Sequence, residues 1–156
     1  MWRFLIVGLL ISVAWAIKLE KCRRGALPLD IRSTTCNDTI CEVSKSVPVG
    51  FELDLKAPND TIFVFPSVLL LYKLPEGNRG EIGVEIDMSR GCDYLISHSC
   101  PLTKGDIITW AFDWDFLPDE LFPVEGDDVR FRAEIILYDK NVDIMTCFRI
   151  NLVTTK

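Results

Sequence analysis

The sequence predicts an all-β fold, a two-sheet antiparallel sandwich of about seven strands. Three observations lead to this prediction. Segments of alternating apolar and polar residues recur along the chain, turn signals bound each segment, and no stretch has a convincing amphipathic helix pattern. The chain has 156 residues, which favours one domain over two, and no repeat or linker divides it.

The first sixteen residues are typical of a secretory signal peptide. Arg3 gives a positive start, an apolar run follows, and Ala14-Trp15-Ala16 matches the A-x-A cleavage pattern. The apolar run is shorter than the roughly 20 residues that a membrane-spanning helix needs. Residues 1–16 are therefore expected to be removed, leaving residues 17–156 as a secreted domain.

Strand patterns begin early in the predicted domain. The residues expected to face inward in the first two strands are Leu27, Leu29 and Ile31, followed by Val49, Phe51, Leu53 and Leu55. Pro28 indicates that the first of these strands lies at a sheet edge. Residues 61–72 are apolar on both faces, which predicts burial from two sides or the lining of a cavity, and Pro66 predicts a break or bulge there.

Four more strands follow in the second half of the chain. Their inward rows are Ile82, Val84, Ile86 and Met88; Ile108, Trp110, Phe112, Trp114 and Phe116; Val129, Phe131, Ala133, Ile135 and Leu137; and Ile144, Phe148, Ile150 and Leu152. The second row is unusual because it holds four large aromatic side chains. Such a row either fills a core, which is the usual role of aromatic stripes, or lines a cavity.

Six cysteines lie after the predicted cleavage site, and an even number in an oxidising compartment predicts three disulfides. Fifteen pairings are possible. Proximity suggests the local pairs Cys36–Cys41 and Cys92–Cys100, which leaves Cys22 with Cys147. A zinc site is disfavoured because the chain has one histidine and uneven cysteine spacings.

Two N-x-T sequons, at Asn37 and Asn59, predict N-glycosylation of a secreted protein. Without Arg3, the 17 basic residues become 16, against 23 acidic ones. An acidic surface argues against nucleic acid as a partner and against strong adhesion to anionic membranes.

The cysteine order carries a resemblance to a known family. Cys22 is followed by Cys36-x4-Cys41, by Gly91-Cys92-x7-Cys100-Pro101-Leu102-x-Lys104-Gly105, by the aromatic strand, and by Cys147-Phe148 in the last strand. Over residues 17–156 this pattern resembles the ML (MD-2-related lipid-recognition) family, and most of all its Niemann–Pick type C2 and group 2 mite-allergen branch. The segment from Cys100 to Gly105 is the most specific part of the match.

The resemblance implies an immunoglobulin-like β-sandwich with disulfides Cys22–Cys147, Cys36–Cys41 and Cys92–Cys100. It also implies a hydrophobic ligand between the sheets. Carried over by position, the lining residues are Trp110, Phe112, Trp114, Phe116, Leu121, Phe122, Pro123 and Phe148. Val84 is assigned to the pocket mouth, within a segment, residues 63–88, that matches the sterol carriers poorly.

No catalytic site, metal or cofactor is expected. Asp113 and Asp115 share a strand face, but nothing in the sequence supplies the raised pKa and polar sugar cleft of a glycosidase. His98 is the single histidine, and no nucleophile motif such as G-x-S-x-G occurs. Lys21, Arg23 and Arg24 form a small basic cluster that is most simply a solvated surface, with contact to lipid headgroups as the alternative.

The sequence is therefore interpreted as a secreted monomeric carrier of a hydrophobic ligand, with a sterol as the leading candidate. Its destination could include the lysosome, and transient contact with membranes or a receptor is expected. Three alternatives stay open at this point: another ligand such as a fatty acid, phospholipid or semiochemical; an immune module presenting a microbial lipid; and a structural protein with a dry core. The acidic segment from Pro118 to Asp128 disfavours the immune module, because lipids with several negative charges need basic residues at the pocket mouth.

Overall fold

The computed structural model describes residues 17–33, 35–37, 40–44, 49–73, 79–84, 88–114 and 129–154. The side chains of residues 79, 88–90 and 114 lie outside that description, as does the predicted signal peptide. In the described residues the strands are β1 (Glu20–Lys21), β2 (Asp30–Arg32), β3 (Cys41–Val43), β4 (Val49–Lys56), β5 (Val64–Lys73), β6 (Arg79–Val84), β7 (Ile107–Trp114), β8 (Val129–Asp139) and β9 (Ile144–Thr154). A 3-10 helix, Met88–Tyr94, lies between β6 and β7. No helix in the described residues is long and apolar enough to cross a membrane.

The strands form two sheets, as predicted. A six-stranded sheet has the order β1-β9-β8-β5-β6, with β3 added beside β9, and a three-stranded sheet has the order β2-β4-β7. All pairs are antiparallel except β3, which runs parallel to β9. Because β1 and β3 are only two and three residues long, the two sheets depend mainly on β4 to β9.

Alternation places one apolar row of each long strand between the sheets. In β4, β7 and β8 the buried residues are those expected from the sequence, namely Val49, Phe51, Leu53 and Leu55; Ile108, Trp110 and Phe112; and Phe131, Ala133, Ile135 and Leu137. These side chains join those of β5 and β9 in one hydrophobic core. Strand β5 has a buried inner row and a half-buried outer row, because no strand of the described residues lies over its outer face.

The first predicted strand is shorter than expected. Ile31 is buried, but Leu27 and Leu29 are exposed, Leu29 by 61 %. The reason is that this segment crosses between the sheets. The carbonyl oxygen of Ala26 accepts the N–H of Cys147 in β9, and the N–H of Leu29 donates to the carbonyl of Asp54 in β4. The edge position indicated by Pro28 is confirmed, because β2 is the outer strand of its sheet.

Pro66 does not interrupt β5, so the predicted break is wrong. Pro66 lies opposite Leu137 in a ladder without register shifts. On its other side, the described pairing of β5 with β6 runs from Val68 to Lys73. Strand β5 therefore continues through a residue that lacks the backbone N–H a ladder normally uses.

An irregularity in β9 changes the last predicted row. Tyr138 lies opposite Ile144, whereas Leu137 lies opposite Thr146, so Met145 is an extra residue in a β-bulge. Ile144 consequently lines a small depression with Cys22 and Cys147 on the outer side of the sheet, and does not share the face of Phe148. Met88, predicted to be in a strand, belongs to the 3-10 helix, while Ile86 lies outside the described residues.

Three disulfides join the described cysteines, leaving none of them free. They are Cys22–Cys147, Cys36–Cys41 and Cys92–Cys100, which are the pairs implied by the family resemblance.

Candidate ligand pocket between the edge strands

The aromatic row of β7 points into the sandwich. Trp110 is 1 % exposed and Phe112 is 4 % exposed, whereas Ile107 on the other face is 61 % exposed. The rings of Trp110 and Phe112 lie nearly parallel, with centroids 5.2 Å apart and an interplanar angle of 13°. This part of the row is a packed aromatic surface.

The 3-10 helix supplies a third ring. Tyr94 meets both Trp110 and Phe112 edge-on, with each pair of centroids 5.7 Å apart. The indole Nε1–H of Trp110 donates to the carbonyl oxygen of Gly91 at 3.2 Å, so the buried polar atom is satisfied. Just after the helix, Leu95 forms an isolated β-bridge with Trp110. These contacts position the indole from two sides.

The two sheets expose edge strands on the same side of the molecule. Strand β6 is the last strand of the larger sheet and β7 is the last of the smaller one. The 3-10 helix joins this side of the two sheets, because Gly91 lies against Val64 and Pro66 of β5, the neighbour of β6, while Tyr94 lies against β7.

Half-buried apolar side chains line the larger sheet at this edge. Ile82 and Val84 of β6 lie opposite Leu70 and Val68 of β5, so they share the inner face, and both pack against the core while keeping some exposure. Tyr72 is similarly half-buried. We call these three residues, together with Tyr94, the apolar edge.

The predicted site residues are not all brought together. Val84 belongs to the apolar edge, and Trp110 and Phe112 lie behind it. Phe148 is fully buried in β9, three strands away from β6, which is about 14 Å at the usual strand spacing. The backbone of Trp114 pairs with Val49, but its side chain lies outside the described residues. Phe116, Leu121, Phe122 and Pro123 also lie outside them.

Sequence reasoning missed Tyr72, Ile82 and Tyr94 as site residues. Ile82 shares the strand face of Val84, so its periodicity could have identified it. Tyr94 lies within the Cys92–Cys100 loop, and only the path of that loop shows that its ring meets Trp110. Tyr72 is near the end of a nearly continuous apolar run, which hides the fact that it is only half-buried.

The residues considered for catalysis lie elsewhere. Asp113 is exposed on the outer face of β7, and Asp115 lies outside the described residues. His98 is exposed, and its Nδ1 is 3.0 Å from the hydroxyl of Ser97. Neither Asp113 nor His98 points into the aromatic row.

The fold and the site define a class of protein, an immunoglobulin-like β-sandwich with three disulfides and half-buried apolar side chains beside an aromatic row. A Niemann–Pick type C2 protein from Japanese carpenter ant has the same fold, with a TM-score of 0.67 over 89 % of this chain and 100 % of that one, at 12 % sequence identity. The resemblance deduced from the cysteine pattern is thereby confirmed at the level of the fold.

A second solved structure, the C-terminal domain of wzt, is 17 % identical and gives a TM-score of 0.45 over 91 % of this chain and 82 % of that one. We draw no argument from that lower score. No protein-family model matches the sequence, and no curated protein does.

Proposed function

We propose that this protein is a secreted, non-enzymatic carrier that holds a hydrophobic small molecule between its two sheets. The observation that carries the proposal is the apolar edge, which leaves Tyr72, Ile82 and Val84 half-buried beside a packed aromatic row. The shared fold with a Niemann–Pick type C2 protein supports it. Three disulfides also suit an extracellular or lysosomal location.

Burial of apolar surface is sufficient to hold such a ligand. A sterol or acyl chain that buries about 400 Å² gains about 10 kcal/mol at 25 cal/mol per Å², before the costs of association. Micromolar affinity needs about 8 kcal/mol net. A pocket without charged groups can therefore bind at this level if it is preformed, and no cofactor or metal is needed.

A sterol is the leading candidate ligand because of the cysteine pattern, and a fatty acid, phospholipid or semiochemical is the alternative. Mass spectrometry of an organic extract of the purified protein would distinguish them. Recovery of a sterol would support the first candidate, and recovery of acyl lipids alone would support the second. An empty extract together with no binding of any lipid probe would contradict the carrier function and favour a dry core.

The location of the opening can be tested with charged substitutions. Val84→Asp places a carboxylate at the apolar edge, where a bound ligand would remove it from water, so we expect binding of a fluorescent sterol or fatty acid to weaken at least about tenfold. Ile107→Asp is the matched control, because it introduces the same group on the exposed face of β7. Equal affinity of the two variants would show that the ligand does not enter at this edge. Phe112 is unsuitable for this test, since truncating a buried phenylalanine costs about 3–5 kcal/mol of stability.

A further inference from the structure

A broad depression of about 1210 Å³ lies over the six-stranded sheet; most of its lining residues belong to the outer face, and Tyr72, Phe131 and Leu152 of the inner row also line it. Its walls reach from Glu81 in β6, across Leu71 in β5 and Arg132 in β8, to Asn151 in β9 and Ile40 next to β3. We call it the outer trough. Five neighbouring strands at about 4.8 Å spacing make it about 19 Å across, which matches about six residues of extended chain.

Cations dominate the outer trough. Among the described residues, Lys73, Arg130, Arg132 and Arg149 line it, against one carboxylate, that of Glu81. Arg149 Nη2 is 2.6 Å from Glu134, and Arg132 Nη1 is 3.4 Å from Glu20, so these two charges are partly neutralised within the protein.

Lys73 and Arg130 form no ion pair with the part of the chain that the structure describes, and both are exposed. Tyr72 lies opposite Phe131 in the β5–β8 ladder. The next residues along the two strands, Lys73 and Arg130, therefore lie at adjacent positions on the outer face. Like charges on adjacent strands are unfavourable, so an anionic partner would stabilise this arrangement.

The charge of the outer trough differs from that of the rest of the molecule. The formal net charge is −6, so an acidic partner is repelled by the protein as a whole. On the outer face of the smaller sheet, Arg32 is surrounded by Asp30, Glu52 and Asp54. An acidic partner would thus be steered toward the outer trough, where the cations are in excess.

We propose that the outer trough binds an acidic, partly apolar peptide segment of a partner protein. Charge complementarity selects an anion, and Leu71 and Ile40 offer apolar contacts between the cations. A flat membrane surface cannot fill a concave volume of this size, and a sulfated glycan has no apolar side chains to contact Leu71 and Ile40, as a partly apolar peptide does. The cations of the trough lie on the outer face of the larger sheet, whereas the aromatic row faces inward; Tyr72 is the residue shared by the trough and the apolar edge.

The probe for this proposal is a fluorescein-labelled peptide of about six residues in which glutamate and leucine alternate. Its binding is measured as a rise in fluorescence anisotropy. The wild-type protein is expected to bind it, with an affinity that falls as salt is added. Combining Lys73→Glu with Arg130→Glu should weaken binding by about tenfold or more. If circular dichroism shows that the charge-reversed double variant does not fold, a double variant with glutamine at both positions takes its place.

The control combines Lys56→Glu with Lys104→Glu, which changes the net charge by the same amount. Both residues are exposed and belong to the side of the three-stranded sheet. An equal loss of affinity in this control would overturn the proposal, because net charge alone would then explain the effect. The proposal would also be overturned if the wild type did not bind the peptide. It would be overturned as well if the wild type sedimented with anionic vesicles and added peptide did not reduce that sedimentation. Binding of the peptide that is lost only in the trough variants would support it.

Discussion

A buried carboxylate organises one end of the sandwich. Asp139, at the end of β8, has no exposed surface. Its Oδ1 accepts the N–H groups of Asn141 and Asp143 at 2.8 and 3.0 Å, and its Oδ2 accepts Nδ2 of Asn59 at 3.2 Å. Asp139 therefore closes the β8–β9 turn and ties it to the loop after β4. The hydrogen bond to Asp139 Oδ2 uses Nδ2 of Asn59, which is the nitrogen that would carry the glycan at one predicted sequon.

The environment of Asp139 affects its protonation. Burial by itself raises the pKa, but hydrogen bonds from the Asp143 N–H, from Asn59 and from the Asn141 N–H outweigh burial and hold the pKa below its ordinary value. The folded pKa is thus lower than the unfolded one, near 3.9. The stabilisation is complete above about pH 4 and is lost as the pH falls through the folded pKa.

Asp139→Asn should lower the free energy of unfolding by about 2 kcal/mol at neutral pH. The substitution removes a charge that accepts three hydrogen bonds and turns an N–H₂ group toward the buried donors. Urea unfolding at pH 7 and near pH 3 would measure the difference, which should narrow in acid because the wild type then loses its advantage. Asp143→Asn is the control, since its side chain is exposed. A difference between wild type and variant that is the same at both pH values would contradict this account.

At the scale of elements, the 3-10 helix connects the two sheets through one close approach. A Cβ added to Gly91 would collide with the carbonyl oxygen of Val64 in β5, and the carbonyl of Gly91 holds the indole of Trp110 in β7. The backbone here is so close to β5 that only glycine fits. The aromatic surface behind the apolar edge therefore depends on this contact.

Gly91→Ala is expected to destabilise the protein by about 3 kcal/mol, because the clash is with backbone and cannot be relieved by a side-chain rotation. Thermal unfolding would measure the loss, and near-ultraviolet circular dichroism would report the altered environment of Trp110. Gly83→Ala in β6 is the matched control, since a Cβ there meets nothing within 4 Å. A similar stability for both variants would show that the helix can shift away from β5 at little cost.

The elements also show what sequence could predict. Strands β4, β7 and β8 were predictable because a half-buried strand alternates, and each of them does so without interruption. The bulge at Met145, the continuity of β5 through Pro66 and the ring contacts of Tyr94 were not, because each depends on a neighbouring strand that is distant in sequence. Val142, with φ of 66°, is a further case, since β-branched residues rarely adopt the left-handed region.

At the scale of the whole molecule, one disulfide joins the two ends of the described chain. Cys22 follows β1 and Cys147 lies in β9, with a sequence separation of 125 residues, whereas Cys36 and Cys41 are separated by 5. Strand β1 itself pairs with β9 through only two residues. The Cys22–Cys147 bond is therefore the strongest constraint that keeps the start of the chain on the larger sheet.

Loop length predicts how unequally the two disulfides stabilise the fold. In the chain-entropy description, removing Cys22–Cys147 by paired serine substitutions costs about 5 kcal/mol, and removing Cys36–Cys41 in the same way costs about 2 kcal/mol. Urea unfolding of the two double variants would measure both losses, each variant serving as the other's control because each lacks one disulfide. Equal losses would mean that local packing around the sulfur atoms, and not restriction of the unfolded chain, sets the contribution. A larger loss for Cys22–Cys147 would mean that restriction of the unfolded chain by the long loop sets its contribution, as the sequence separation of 125 residues predicts.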